Sequence, residues 1–444
     1  MGLASALVHL GDGTLPETFE GLKSQVDIEW IKSALAAGDA ATVRNRKIAG
    51  EQVVWLAVGM GLYRDRPINE LVKRLDLVLP DAKGNRQSVS PGAIPPARDR
   101  VGSEPLRALF QTTARHWAMA SAEKHRWREL MVLGADGTTL RVPDSEDNRK
   151  TFDLPGAGVR QSAGYPQIHA VALMALRSHL LLDFAFAGCK VSEIALATPM
   201  LENVPAQSLT ILDRNFINYY LLHRIRAGGE ERHWLVRARK NLKWRVIERF
   251  GRGDELVEIE FTEKTRREHP ELPQIFQARA VRYQRKGFQP QILLTSLLDP
   301  AEYPAVEIVE LYHERWELEI GYDEIKTHAL EREEAIRSKS PERVAQEVWG
   351  LAVAYNLVRH EMEAVANKCD VAPRRISFRG SLRLIRDLFL WAEVASPGKL
   401  PKMIRDMRIE MEDLIIPPRR SERRYPRHVK IKMSSYARND GHPA

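Results

Sequence analysis

Between residues 127 and 215 the chain runs through extended and helical patterns in an order that narrows the fold. RELMVLGADGTTLRVPDS reads as strand, turn, strand. YPQIHAVALMALRSHLLLDFAFAG reads as a long strand, a turn near Arg177 and Ser178, and another strand. SEIALATPMLENV follows as a helix with Ser192 as its cap, and SLTILDRNF is a strand with a polar tip. The order is strand, strand, strand, helix, strand. Two acids stand in it, Asp136 on the first strand and Asp213 at the end of the fourth.

An α/β chain with this order opens like a ribonuclease H-like fold. In such a sheet the first and fourth strands are neighbours, so the two carboxylates can share a metal ion. A third acid is expected from a helix further on. Residues 312–326 read YHERWELEIGYDEIK. At 100° per residue, Arg315 lies about 60° from Tyr312, Glu319 about 20° and Lys326 about 40°, all on one stripe. Asp323 also lies within about 20° of Tyr312, so helical geometry does not choose between Glu319 and Asp323. Glu314, Glu317 and Glu324 point away from the stripe. An acid flanked by two cations and a phenol suits a partner that carries phosphate. Three carboxylates from three elements suit divalent-metal phosphodiester chemistry.

The flanking regions divide into further blocks. Residues 1–122 read as short helices with a basic cluster, Arg44, Arg46 and Lys47, and are compatible with a DNA-binding domain. Residues 123–215 form the first part of the core. Residues 216–304 carry the extended patterns HWLVRARK, KWRVIERF, DELVEIEFTEK, FQARAVRY and PQILLTSLLD, a block too long for a loop and read as an inserted subdomain. Its Trp234, Arg237, Arg239, Lys240 and Trp244 mix cations with indoles, a composition able to hold a DNA end and stack a displaced base. The same residues suit a twisted sheet with core tryptophans. Residues 305–415 complete the core with C-terminal helices, where Ser340 and Pro341 open a long apolar stripe. Residues 416–444 form a basic tail that includes Arg423, Arg424, Arg427, Lys430 and Lys432.

Composition agrees with a polyanionic partner. The 444 residues have a formal net charge of +8. Only two cysteines are present, Cys189 and Cys369, and they form no Cys-x-x-Cys pair, which fits a reducing cytoplasm. The apolar N-terminal stretch lacks a basic region before it and does not read as a signal peptide. No charge-free apolar run is long enough to span a membrane. Phosphodiester transfer needs no nucleoside triphosphate, and the chain shows no glycine loop ending in Gly-Lys-Ser/Thr, which agrees.

These blocks resemble a DDE transposase of the insertion-sequence-4 family, a bacterial cut-and-paste enzyme. GADGTTLRVPDS and TILDRNF look like its first and second catalytic blocks. Tyr312, Arg315, Glu319 and Lys326 reproduce its helical signature with the right spacing. LEREEAIRSKSPERVAQEVWGLAVAYNLVR and the basic ending RRYPRHVKIKMSSY are similar to its downstream segments. The resemblance implies that Glu319, not Asp323, joins Asp136 and Asp213, and that the three acids hold two Mg²⁺ or Mn²⁺ ions. It implies phosphate contacts from Tyr312, Arg315 and Lys326. It further implies a dimer bridging two DNA ends with terminal inverted repeats, cleavage that exposes a 3′-OH, a hairpin step, and joining to target DNA. Two other readings use the same residues: a metal-dependent nuclease that cuts without joining, and an inactive DNA-binding descendant of a transposase.

Overall fold

The computed structural model describes residues 27–38, 48–75, 77, 88–155, 164–239, 242–285, 289–331, 336–392 and 399–418. Arg44, Arg46, Lys47, Lys240, Arg423, Arg424, Arg427, Lys430 and Lys432 lie outside the described residues. The N-terminal helices are α1 (Ile28–Ala37), α2 (Gly50–Leu62), α3 (Ile68–Arg74), α4 (Ile94–Val101) and α5 (Glu104–Lys124). Then come β1 (Met131–Arg141), α6 (Glu146–Phe152), β2 (Gln167–Ala175), β3 (Leu181–Gly188), α7 (Glu193–Leu201) and β4 (Ser208–Leu212). They are followed by α8 (Tyr219–Ala227), β5 (Arg232–Arg237), β6 (Trp244–Gly251), β7 (Asp254–Ile259), α9 (Glu263–Glu268), β8 (Phe276–Tyr283) and β9 (Gln291–Thr295). The last helices are α10 (Ala305–Tyr312), α11 (Trp316–Asp323), α12 (Pro341–Lys368), α13 (Phe378–Ala392) and α14 (Leu400–Glu412).

One mixed sheet of nine strands organises the described chain, in the order β3-β2-β1-β4-β5-β9-β8-β7-β6. The β1–β2 and β2–β3 pairs are antiparallel, and β4 and β5 run parallel to β1. The strand order and the helix before β4 are as expected from the sequence, but Met131–Arg141 is one continuous strand where strand, turn, strand was expected, and α6 intervenes before β2. The arrangement is consistent with a ribonuclease H-like superfamily core. Strand β2 is buried along almost its whole length because helices cover both faces. Along β1, Val132 and Leu140 join one core, while Met131, Leu133 and Ala135 join the core on the opposite face.

The strand-rich block of 216–304 departs from a self-contained insertion. Its first strand, β5, lies beside β4, and β9, β8, β7 and β6 extend the same sheet antiparallel. The backbone donors and acceptors on the open side of β5 are satisfied by β9, so the extension is continuous with the core.

The N-terminal helices are not a free-standing unit either. Helix α2 is buried at nearly every position, so it has no solvent face of its own. It packs on α12 so closely that a Cβ on Gly350 would stand 2.3 Å from the Ala57 carbonyl oxygen. Buried polar contacts fasten the same junction: Arg64 Nη1 donates to Glu347 Oε1 at 2.6 Å, and Arg98 Nε to Gln346 Oε1 at 2.9 Å. Ser192 caps α7 as its sequence suggests, accepting from the Ala195 N–H. Ser103 and Ser340 make no side-chain cap; the Ser103 N–H is taken by Glu342 instead.

Candidate active site

The registers of β1 and β4 bring the two aspartates together. Their last paired residues are Ala135 and Leu212, and the next residue on each strand is an acid, Asp136 and Asp213. Neighbouring strands lie about 4.8 Å apart, so the two backbones deliver their carboxyls to one place. Asp136 is still held by β2 through its pairing with Ala172, whereas Asp213 leaves the sheet and enters a 3₁₀ turn.

Helix α11 carries Glu319 and Asp323, the two candidates for a third acid. Gly134 leaves room for it, since a Cβ there would stand 2.9 Å from Leu318 Cδ1. Tyr322 then ties the helix to the strand pair. Its hydroxyl accepts the Ala172 N–H at 3.1 Å and donates to the Asp136 carbonyl, across the very pair that carries the first acid. Arg315 completes the link. Its Nη2 donates to Glu319 Oε1 at 3.0 Å, and its Nη1 lies 3.7 Å from Asp136 Oδ2. Asp323, the competing acid, is exposed and accepts from the Thr327 hydroxyl at 2.5 Å.

The segment 312–326 is not the single regular helix assumed in the angular reading. Residues His313–Arg315 form a 3₁₀ turn between α10 and α11, and Glu324–Ala329 form a π turn that contains Lys326. Both change the angle per residue from 100°, so the stripe is assembled from three helix types. The π turn has a cause. Glu324 is drawn into the core, where Arg359 Nε and the Tyr355 hydroxyl each donate to its Oε2 at 3.0 Å. Burial would raise the Glu324 carboxyl, but Arg359 and His179 outweigh it and hold the group down at about 2. The other acids of the segment also face away from Asp136. Glu314 accepts two bonds from Arg177, and Glu317 lies 2.9 Å from His179 Nε2.

Electrostatics mark Asp136 as crowded. Burial pushes its carboxyl up to about 6, and Asp213 and Glu193 press the same way against the Gly137 N–H and Arg315. Glu193, at the start of α7, escaped the sequence reading. Its carboxylate lies where a Gly137 Cβ would be, 2.3 Å from that position, so the glycine after Asp136 makes the approach possible. The Asp-Gly step was the available signal. Tyr312 is buried, and burial pushes its phenol up to about 12, so it remains a neutral donor. Among the described residues, no three His, Cys, Asp or Glu side chains stand close enough together to hold a metal ion, and Arg315 is interposed between Asp136 and Glu319.

Of the proposed stacking residues, Trp234 is corrected. It is 1% exposed on an interior strand, packed against Phe276, and offers no face to a base. Trp244 is half-buried at the start of β6. Among the described residues, an indole that does face out is Trp316, 45% exposed, with the Arg315 guanidinium carbon 5.6 Å from its ring centre. Arg237 ends β5 near Tyr312, and exposed Arg239 donates to the Arg214 and Asn215 carbonyls beside Asp213.

Residues 127–357 match the transposase DDE domain, and residues 16–111 match the insertion element 4 transposase N-terminal domain. The transposase InsG for insertion sequence element IS4 of Escherichia coli K12 is 37% identical over 437 residues, covering 98% of this chain and 97% of that protein. This chain belongs to the insertion-element-4 family of DDE transposases. Members of such a family cleave DNA and transfer its strands, and the family is what the sequence blocks led us to expect. The putative transposase InsZ of the same bacterium is 32% identical over 250 residues, covering 56% of this chain and 82% of that protein. A cryo-EM structure of a piggyBac transposase synaptic complex with hairpin DNA superposes at a TM-score of 0.41 and 11% identity, covering 92% of this chain and 87% of that one. Among the described residues, no helix is long and apolar enough to cross a membrane.

Proposed function

We propose that this transposase cuts DNA at the terminal inverted repeats of an insertion element and joins the freed 3′-OH to target DNA, with Asp136, Asp213 and Glu319 at the reaction centre. The observation that supports this reading best is Arg315 spanning Asp136 and Glu319, beside the β1–β4 register whose last pair, Ala135 with Leu212, directly precedes Asp136 and Asp213. The donor set is all carboxylate, the chemistry that suits Mg²⁺ or Mn²⁺, and burial and neighbouring acids crowd Asp136. The three acids do not converge with Arg315 between Asp136 and Glu319, so holding an ion would require Arg315 to swing out and the acids to close together. Asp136, Asp213 and Glu319 would be the residues to hold such ions, two by family resemblance, which would supply Lewis-acid charge stabilisation and a more acidic bound water.

The chain's own residues do the rest. Arg315 presents a fork that can turn from the acids to a phosphate oxygen, a geometry suited to bidentate contact. Tyr312 offers a buried phenol and Lys326 a point charge further along the helix. Trp316 offers an exposed indole beside Arg315, a surface on which an unpaired base can stack. The family resemblance supports a dimer on DNA that bridges two ends.

Purified protein, Mg²⁺, DNA carrying the repeats that flank the gene and a supercoiled target provide the test. Cuts at the repeat ends together with joined 3′ ends support the proposal. Cuts that never yield joined products replace it with a nuclease.

A further inference from the structure

We propose that the pocket between the π turn and α13 binds a phosphate group, and that the phosphate it takes belongs to a DNA backbone. This rests on the reading of the chain as a DNA-processing enzyme. The pocket, about 340 Å³ in volume, is lined by Thr327 and His328 of the π turn, Glu331, and Arg379, Leu382, Arg383 and Arg386 of α13.

The arginines recur at steps of four and three residues, so they fall within an arc of about 60° on one side of α13. The opposite need of the helix, burial, is met by Phe378, Ser381 and Ile385. Like charges four apart on a helix repel, and no hydrogen bond or ion pair of Arg379 or Arg383 among the described residues offsets that cost. Arg379 and Arg383 are exposed and form no ion pair among the described residues. Arg386 is already positioned. Its Nη1 lies 3.0 Å from Glu331 Oε1, and its Nε donates to the Leu62 carbonyl. Its Nη2 is buried and has no hydrogen-bond partner among the described residues. Glu331 therefore offsets one of three guanidiniums and leaves an excess of donors in fork geometry, the chemistry that selects phosphate.

Position selects the source of that phosphate. Thr327 follows Lys326 directly and lies eight residues beyond Glu319, on the order of 10 Å along the helical axis. At about 3.4 Å of rise per nucleotide, a strand held at Arg315 reaches this pocket within a few nucleotides. The pocket thus continues the line of Arg315 and Lys326 away from the acids.

The test is fluorescence anisotropy of the full chain with a fluorescein-labelled random-sequence duplex, in EDTA and across a series of KCl concentrations. Each phosphate contact contributes about 0.9 to the slope of log affinity against log salt. The double variant Arg379→Ala/Arg383→Ala is expected to lose about 1–2 units of that slope, and Arg379→Lys/Arg383→Lys to keep most of it. Should the double variant lose its melting transition, the single Arg383→Gln, on an exposed side chain, is expected to lose about 1 unit. An unchanged slope overturns the proposal. If the slope is unchanged and inorganic phosphate raises the melting temperature of the wild type but not of the variant, the pocket serves a free ion and not DNA. Because the readout is binding without metal, failure of cleavage would sink the preceding proposal and leave this result standing.

Discussion

Arg315 Nη1 stands 3.7 Å from Asp136 Oδ2 while the same guanidinium donates to Glu319. A cation so placed offsets the repulsion of acids delivered by two different elements, and it is poised to meet a phosphate. Arg315→Ala is expected to lower strand cleavage by about 10²-fold. It should also reduce the salt slope of DNA binding by about 1. Arg315→Lys, which keeps the charge but not the fork, should recover part of the binding and less of the rate. Equal activity in Arg315→Ala and wild type, measured on one DNA substrate, would remove Arg315 from the site.

Tyr322 touches no reacting group, yet its hydroxyl joins the helix of Glu319 to the backbone of Asp136 and Ala172. Tyr322→Phe leaves the buried Ala172 N–H without its acceptor. The expected cost is about 1–3 kcal/mol of stability, read from urea unfolding. The acids would also lose registration, with a roughly ten- to hundredfold fall in turnover and little change in DNA affinity. A stability loss with turnover untouched would make the hydroxyl structural only.

The two aspartates were legible in the sequence because each sits where an apolar strand pattern gives way to polar residues, and the parallel register of β1 and β4 does the rest. The third acid was less so. Glu319 and Asp323 both lie on the regular helix α11, four residues apart, so local geometry left them tied; Arg315 linking Glu319 to Asp136 is a tertiary contact that no local spacing reveals. Trp234 misled for a related reason. Basic residues beside an indole look alike on a solvated rim and on an interior strand, and only the pairing of β5 with both β4 and β9 buries it. The fusion of the N-terminal helices to α12 was hidden in the same way, although the uninterrupted apolar run of α2 was its trace.

Gly137 and Glu193 should behave as a coupled pair. A methyl group at Gly137 meets the Glu193 carboxyl, so Gly137→Ala must swing Glu193 away from Asp136. A double-mutant cycle with Glu193→Ala, read as cleavage rate, is expected to show a coupling of about 0.5–3 kcal/mol. Strict additivity would mean that Glu193 has no bearing on the site.

Stability toward acid should report on Glu324. Burial alone would raise its carboxyl, but Arg359 and His179 hold it at about 2, below an ordinary value of 4.5. A depressed folded-state pKa contributes stability that is present above about 4.5 and lost as pH falls toward about 2. Urea unfolding across that window should show the wild type losing stability more steeply than Glu324→Gln. At neutral pH the variant, which leaves Arg359 buried without its anion, should be less stable by about 3–5 kcal/mol. Parallel pH profiles would contradict this assignment.

Asp136, Asp213 and Glu319 are proposed to act as one reaction centre. The most direct test maps, at nucleotide resolution, the Mg²⁺-dependent products of wild type, Asp136→Asn, Asp213→Asn and Glu319→Gln on DNA with the flanking repeats and a target. The account predicts that each variant still binds the ends but forms cut and joined products at rates reduced by roughly 10²–10³-fold or more. Any one of the three cutting and joining at the wild-type rate would contradict it.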